Sequence, residues 1–382
     1  MPAKTLLRYL LIFPAFVVIS CQSPEPNAVG EIYLDTDALN AVDPATTTPM
    51  ITLGRVLFYD RQLSVNNTIA CASCHKQEYG FADNQKFSRG FESRVTSRNS
   101  MPIQNLFSAV VFETMDSQPI DPGFGFGSHF FWDGREQNLQ SLVLQPVGNH
   151  IEMGITDVDA LAQKIASLPY YTPLFQNAFG SVEVTRENIS TALALFVQSI
   201  NTFNTKFDRY NAAKFNVTET TVSPAKQAIL NSLELEGAML FEDKYDCNSC
   251  HQVQTPNGYA MFGGTFANIG LDKTYSDPGL AGVTGNPDDI GKFKIPSLRN
   301  VVFTAPYMHD GRFETLEDVL DHYSEGISDH PNLDDKLKDV TGHAKSMNIT
   351  EHEREALIAF LNTLTDESVI KDPRYSNPFK VR

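Results

Sequence analysis

The chain has 382 residues, 42% of them hydrophobic and 20% charged, which is enough for about two globular units with cores of their own. A formal charge of −16 argues against nucleic acid as a partner. An acidic surface is common among soluble proteins, and steering of a basic redox partner is the second reading.

Residues 1–20 carry Lys4 and Arg8 followed by the short apolar run Leu10 to Ile19, too brief for a comfortable membrane span and read as a secretory signal. Val18-Ile19-Ser20-Cys21 resembles a bacterial lipobox, so Cys21 is the expected lipid-bearing residue. An ordinary signal peptide with a stray thiol is the other reading. Residues 21–48 are rich in proline, serine, threonine and acids, as a solvated tether should be.

A first domain is expected over 49–212. It opens with Leu53-Gly54-Arg55-Val56-Leu57-Phe58, and then comes Cys71-Ala72-Ser73-Cys74-His75. Two thiols and an adjacent imidazole at this spacing are what covalent haem attachment requires. The cysteines form thioethers to the vinyl groups, and the histidine lies under the iron. A helix is expected over 185–203, with Ile189, Leu193, Phe196, Ile200 and Phe203 on one face.

The second domain is expected over 213–382, with Ser223-Pro224 starting a helix that runs to about Phe241. Cys247-Asn248-Ser249-Cys250-His251 repeats the attachment motif, implying a second c-type haem. A four-cysteine zinc ribbon keeps its pairs about 15–20 residues apart, whereas these lie far apart and each has its own histidine. The glycine- and aspartate-rich stretch 252–294 is too long for a plain connection and is expected to wrap the second haem. Trp132-Asp133-Gly134-Arg135 returns as His309-Asp310-Gly311-Arg312, offset by nearly the same distance as the haem motifs. The chain is therefore an internal duplication, an all-α pair of tandem cytochrome c-like domains with long haem-wrapping loops.

Function is expected where the copies diverge. Thr315 should cap a short helix with Leu316, Val319, Leu320 and Tyr323 along one side and His322 turned about 100° away. On pattern alone Tyr323 reads first as a core aromatic and second as a phenolate ligand to the second haem. The first copy has Pro146 in that register, and proline cannot ligate iron. Haem one would then keep an open position for a small oxidant.

These motifs resemble those of the bacterial di-haem cytochrome c peroxidases and the wider MauG-like group. They are joined by Glu152-Met153, Pro296-Ser297-Leu298-Arg299-Asn300 and Pro306-Tyr307-Met308-His309. The resemblance covers Leu53 to about Leu364. It implies a peroxidatic haem at Cys71, Cys74 and His75 and an electron-delivering haem at Cys247, Cys250 and His251. Trp132 would lie between the haems, and Glu152 would serve as the distal acid–base carboxylate. It also implies one calcium ion at the Asn99 side chain and the backbone carbonyls of Thr304 and Pro306.

By residue type alone Trp132 reads as core packing and Glu152 as a surface glutamate. The chain departs from many members in three places. Arg89-Gly90-Phe91 stands where a distal histidine is common, Leu142 where a glutamine accompanies the glutamate, and Tyr323 where a methionine ligand is usual. The implied activity is reduction of hydrogen peroxide in the periplasm with electrons from a small donor such as a cytochrome c. A MauG-like oxidase acting on a protein or small molecule is the alternative, and a purely electron-transferring cytochrome is a third reading. A homodimer is compatible with the resemblance.

Overall fold

The computed structural model describes residues 32–40, 42–43, 47–106, 129–215, 229–251, 253–255, 258–260 and 265–381. The leader, Cys21 and Ser223-Pro224 lie outside them. Among the described residues helices dominate, and sheet is confined to three two-stranded antiparallel ladders. No described helix is long and apolar enough to cross a membrane.

Four helices build a first core: α1 (Pro49–Tyr59), α2 (Val158–Ala166), α3 (Tyr171–Phe179) and α4 (Arg186–Ser199). Thr48 starts α1 by accepting the Ile51 N–H at 3.3 Å, with Pro49 at the first position, where its missing donor costs nothing. Leu53, Val56, Leu57 and Phe58 of α1 are buried against Ile189, Leu193 and Phe196 of α4. Each such side chain contributes about 1.5–3 kcal/mol by leaving water.

The second core is built by α5 (Lys206–Phe215), α6 (Ser232–Met239), α7 (Leu316–Asp321) and α8 (Glu351–Asn362), with Phe207, Phe241, Leu357 and Phe360 at its centre. The duplication is visible in how the helices cross. A Cβ on Gly54 would lie 1.9 Å from the Ala192 carbonyl oxygen, and one on Gly237 would lie 1.9 Å from that of Ala356. Both crossings therefore bring backbone against backbone. Beside them Phe58 meets Phe196 with ring centres 5.1 Å apart, as Phe241 meets Phe360. The Asp-Gly-Arg turns match as well. Phe130 N–H donates to Glu136 O and Tyr307 N–H to Phe313 O, both at 2.7 Å, around left-handed glycines at 134 and 311.

Three expectations are corrected. The helix expected over 185–203 stops at Ser199, because Ile200 turns extended and its carbonyl accepts the Asn105 N–H at 2.9 Å. Phe203 consequently leaves the apolar face and is exposed. The helix leading to the second haem motif begins at Ser232, where Asn231 and Glu234 form a reciprocal cap. The tether expected over 21–48 is partly structured. Strand β1 (Ile32–Leu34) pairs with the C-terminal strand Phe379–Val381, fastened by an Asp35–Lys380 ion pair at 2.7 Å.

Core membership also crosses the division expected between residues 212 and 213. Phe207 of α5 belongs to the second core, while Val369 and Tyr375, far downstream, belong to the first. Arg55 donates to the Ser376 carbonyl at 2.7 Å and Tyr59 to that of Tyr375 at 2.6 Å, holding the C-terminal segment on α1. The stretch between the second haem motif and Lys294 reaches the first copy: Phe266 packs over Gly134, and Lys294 N–H donates to Trp132 O at 2.8 Å.

Candidate active site

Cys71, Cys74, His75, Trp132, Glu152, Asn99 and Pro146 line one cavity of about 650 Å³, of the size that cofactor pockets have. Cys71–Ser73 form a single tight helical turn after α1. The backbone N–H groups of Cys74 and His75 both return to the Cys71 carbonyl, bringing the two thiols and the imidazole to the same wall. His75 Nδ1 lies 3.0 Å from the Phe81 carbonyl. Donation there leaves Nε2 as the free lone pair, the tautomer that an iron-ligating histidine needs. Burial pulls the His75 pKa down and keeps the ring neutral.

The second motif has the same local design. His251 Nδ1 lies 3.2 Å from the Pro296 carbonyl, and burial pulls its pKa down to about 4. All four motif cysteines are free thiols. Burial pushes Cys71 and Cys247 up to about 12 and Cys74 up to about 11, the opposite of the depressed values that mark a redox dithiol. Each site thus offers two free thiols and a neutral histidine with Nε2 available, a donor set that fits a c-type haem.

Glu152 sits in a turn that follows Asn149. Its Oε1 accepts the Asn149 side-chain N–H at 2.9 Å. Burial raises its pKa, opposed in part by the Arg135 guanidinium. The turn is braced from outside by the 89–95 loop. Phe91 N–H donates to Glu152 O at 2.9 Å, and Arg94 donates to His150 O at 2.7 Å. Gly90 approaches so closely that a Cβ would lie 1.9 Å from Ile151 O.

Trp132 donates its indole N–H to the Asn99 carbonyl at 2.9 Å. Asn99 in turn donates its backbone N–H to His309 O at 2.7 Å and its amide nitrogen to Gln85 O at 3.1 Å, which leaves its side-chain oxygen for another group. His309, in the register of Trp132, stacks on Phe293 at 3.7 Å. The two copies are tied here by Arg98, which grips Asp277 with two bonds of 2.7 and 2.8 Å and reaches Asp133 at 2.5 Å. Thr304 and Pro306 are buried in the segment that leads to His309.

Tyr323 and His322 separate at a widened turn that follows α7. His322 Nε2 lies 2.9 Å from the Ile269 carbonyl. Tyr323 packs against the second core, and burial raises its phenol pKa, helped by the nearby Cys247 and Cys250. The phenol therefore stays protonated unless a cation faces it.

Sequence reasoning missed several residues. Asn149 could have been found as an amide three positions before Glu152. Arg98 with Asp277, and Lys294 in the cavity wall with its pKa pulled down to about 8 by burial, carry no local signal.

The di-haem cytochrome c peroxidase family model matches residues 48–216. The methylamine utilization protein MauG of Methylorubrum extorquens is 30% identical over 325 residues, covering 84% of this chain and 79% of that protein. The chain belongs to the di-haem cytochrome c peroxidase family. Cytochrome c551 peroxidase of Nitrosomonas europaea is 34% identical over 288 residues, covering 74% and 75% of the two chains. Among solved structures, a MauG-like protein associated with microbial copper homeostasis superposes with a TM-score of 0.67 at 30% identity, covering 88% of this chain and 95% of that one. The protein is thus an oxidoreductase of the cytochrome-c peroxidase type, from a family defined by two haems.

Proposed function

We propose that the protein reduces hydrogen peroxide to water at a haem held by Cys71, Cys74 and His75. Electrons would come from a small redox protein such as a cytochrome c, by way of a second haem held by Cys247, Cys250 and His251. The observation that carries this reading is the single cavity whose wall joins the first attachment motif to Glu152 and Trp132. Pro146 occupies the same wall, and its ring offers no ligand. A haem held by Cys71, Cys74 and His75 would supply the redox chemistry for peroxide reduction.

The remaining chemistry belongs to side chains. Asn149 holds Glu152 Oε1, leaving Oε2 to take a proton from one peroxide oxygen and return it to the leaving oxygen. The raised pKa of a buried carboxyl suits it to both directions of that transfer. Trp132, fixed by Asn99 below and Lys294 above, is the aromatic group placed for electron passage between the copies.

The same reading assigns two tandem cytochrome c-like domains, divided before α5, whose Phe207 packs in the second core, with the C-terminal segment returning to the first. A calcium ion is assigned to the free side-chain oxygen of Asn99 and the carbonyls of Thr304 and Pro306, oxygen ligands that suit a hard cation. Tyr323 is assigned to the second iron. Its closeness to Cys247 and Cys250 favours that role and keeps a MauG-like oxidase as the second reading. Export to the periplasm with a lipid on Cys21 follows from the leader. The test is peroxide-dependent oxidation of a reduced c-type cytochrome by the haem-loaded protein. Failure to consume peroxide would leave electron transfer alone.

A further inference from the structure

Beside the main cavity lies a smaller one of about 340 Å³. Six of its lining residues, Phe131, Arg135, Pro146, Asn149, Ile151 and Glu152, also line the main cavity. Beyond them it reaches Gly148 and His150, both exposed. A chamber that shares Glu152 with the main cavity on one side and meets solvent at Gly148 and His150 on the other has the form of an entry passage.

We infer that this chamber is the route by which hydrogen peroxide reaches Glu152, an inference that rests on the peroxide reading above. Hydrogen peroxide is small, neutral, and both donates and accepts hydrogen bonds. The walls offer the amides of Gln145 and Asn149 between the apolar faces of Phe131 and Pro146. The rim is held in place. Arg135 lies 3.6 Å over the Phe131 ring and pairs with Asp133 at 2.9 Å, while Gln145 donates to Glu136 at 2.6 Å. The passage therefore keeps its width without a moving part among these residues.

Gly148 marks the mouth, where a Cβ would meet nothing nearer than Ile155 O at 3.8 Å. A side chain there has room, so the passage can be narrowed without displacing the fold. The haem-loaded Cys21→Ser, Gly148→Cys protein carries one thiol outside the haem attachments, and a bulky maleimide can be added after folding is complete. Cyanide association with and dissociation from the ferric protein are then measured before and after labelling. A blocked passage raises the barrier and leaves both end states alone, so both rates should fall together by about tenfold or more with affinity unchanged. Gly148→Ala should stay within about twofold of wild type in both rates. An unchanged association rate after labelling overturns the inference, as does slower association with unchanged dissociation. Failure of the unlabelled protein to react with peroxide would sink the peroxide reading instead, since the cyanide rates report on the passage alone.

Discussion

The indole N–H of Trp132 donates to the main-chain carbonyl of Asn99 at 2.9 Å, and Asn99 donates its own backbone N–H to His309 O at 2.7 Å. One residue, through the two peptide groups that flank its Cα, therefore joins the Asp-Gly-Arg turn of the first copy to that of the second. Whatever passes between the copies has a short, fixed path here. Trp132→Phe removes the donor and shrinks the ring. Electron transfer between the haems should slow on the order of tenfold, about 1.4 kcal/mol of barrier, with both resting spectra unchanged. Rapid-mixing absorption spectroscopy after reduction of the second haem checks this, and an unaltered rate would assign Trp132 to packing.

Glu152→Gln should slow peroxide turnover by about 10²-fold or more, since proton transfer by a positioned side chain contributes that much. The pH dependence has a definite sign. A base must be ionised, and burial raises the Glu152 pKa, so the acidic limb of kcat/KM should lie above the usual glutamate value of about 4.3. Asn149 donates to the carboxylate and favours its charged form. Asn149→Ala should therefore move that limb to still higher pH. A limb that stays put in Asn149→Ala, or survives in Glu152→Gln, would remove Glu152 from the proton path.

How much of this site could be read along the chain follows from the chemistry. Haem attachment needs two thiols and a histidine within five residues, so Cys71 to His75 and Cys247 to His251 were legible at once. The Asp-Gly-Arg turns were legible because they recur at nearly the same offset as the haem motifs. The grip of Arg98 on Asp277 joins residues far apart in sequence, and no local pattern announces it. Residues 32–34 were misread as solvated because the stretch around them, taken as a whole, is rich in proline, serine, threonine and acids. Their hydrogen-bond partners stand at 379–381, at the other end of the chain.

Tyr323 gives a prediction that separates ligand from core aromatic. A phenolate stabilises ferric iron, so Tyr323→Met should raise the reduction potential of the second haem. Tyr323→Phe should open its sixth position and move its spectrum toward high spin. Redox titration followed by absorption and electron paramagnetic resonance reads both. An unchanged low-spin signal in Tyr323→Phe would place the ligand elsewhere, and His322, engaged with Ile269 O at 2.9 Å, would have to leave that contact to serve.

The helix crossings predict equal sensitivity in the two copies. A methyl at Gly54 would collide with Ala192 O and one at Gly237 with Ala356 O, each at 1.9 Å. Gly54→Ala and Gly237→Ala should each cost about 1–3 kcal/mol or more by forcing helices apart. Denaturant unfolding of the haem-loaded protein measures this, and a loss confined to one variant would argue against equivalent crossings.

The most direct test of the account is stoichiometric. Reduction of hydrogen peroxide to two waters takes two electrons and two protons. The haem-loaded protein, mixed without oxygen with excess reduced cytochrome c and a known amount of peroxide, should oxidise two cytochromes for each peroxide added. The reaction should collapse in Cys71→Ala, Cys74→Ala protein that keeps only the second attachment motif. Oxidation that persists in that variant, or the absence of peroxide-dependent oxidation in the wild type with every donor tried, would contradict peroxide reduction at Cys71, Cys74 and His75.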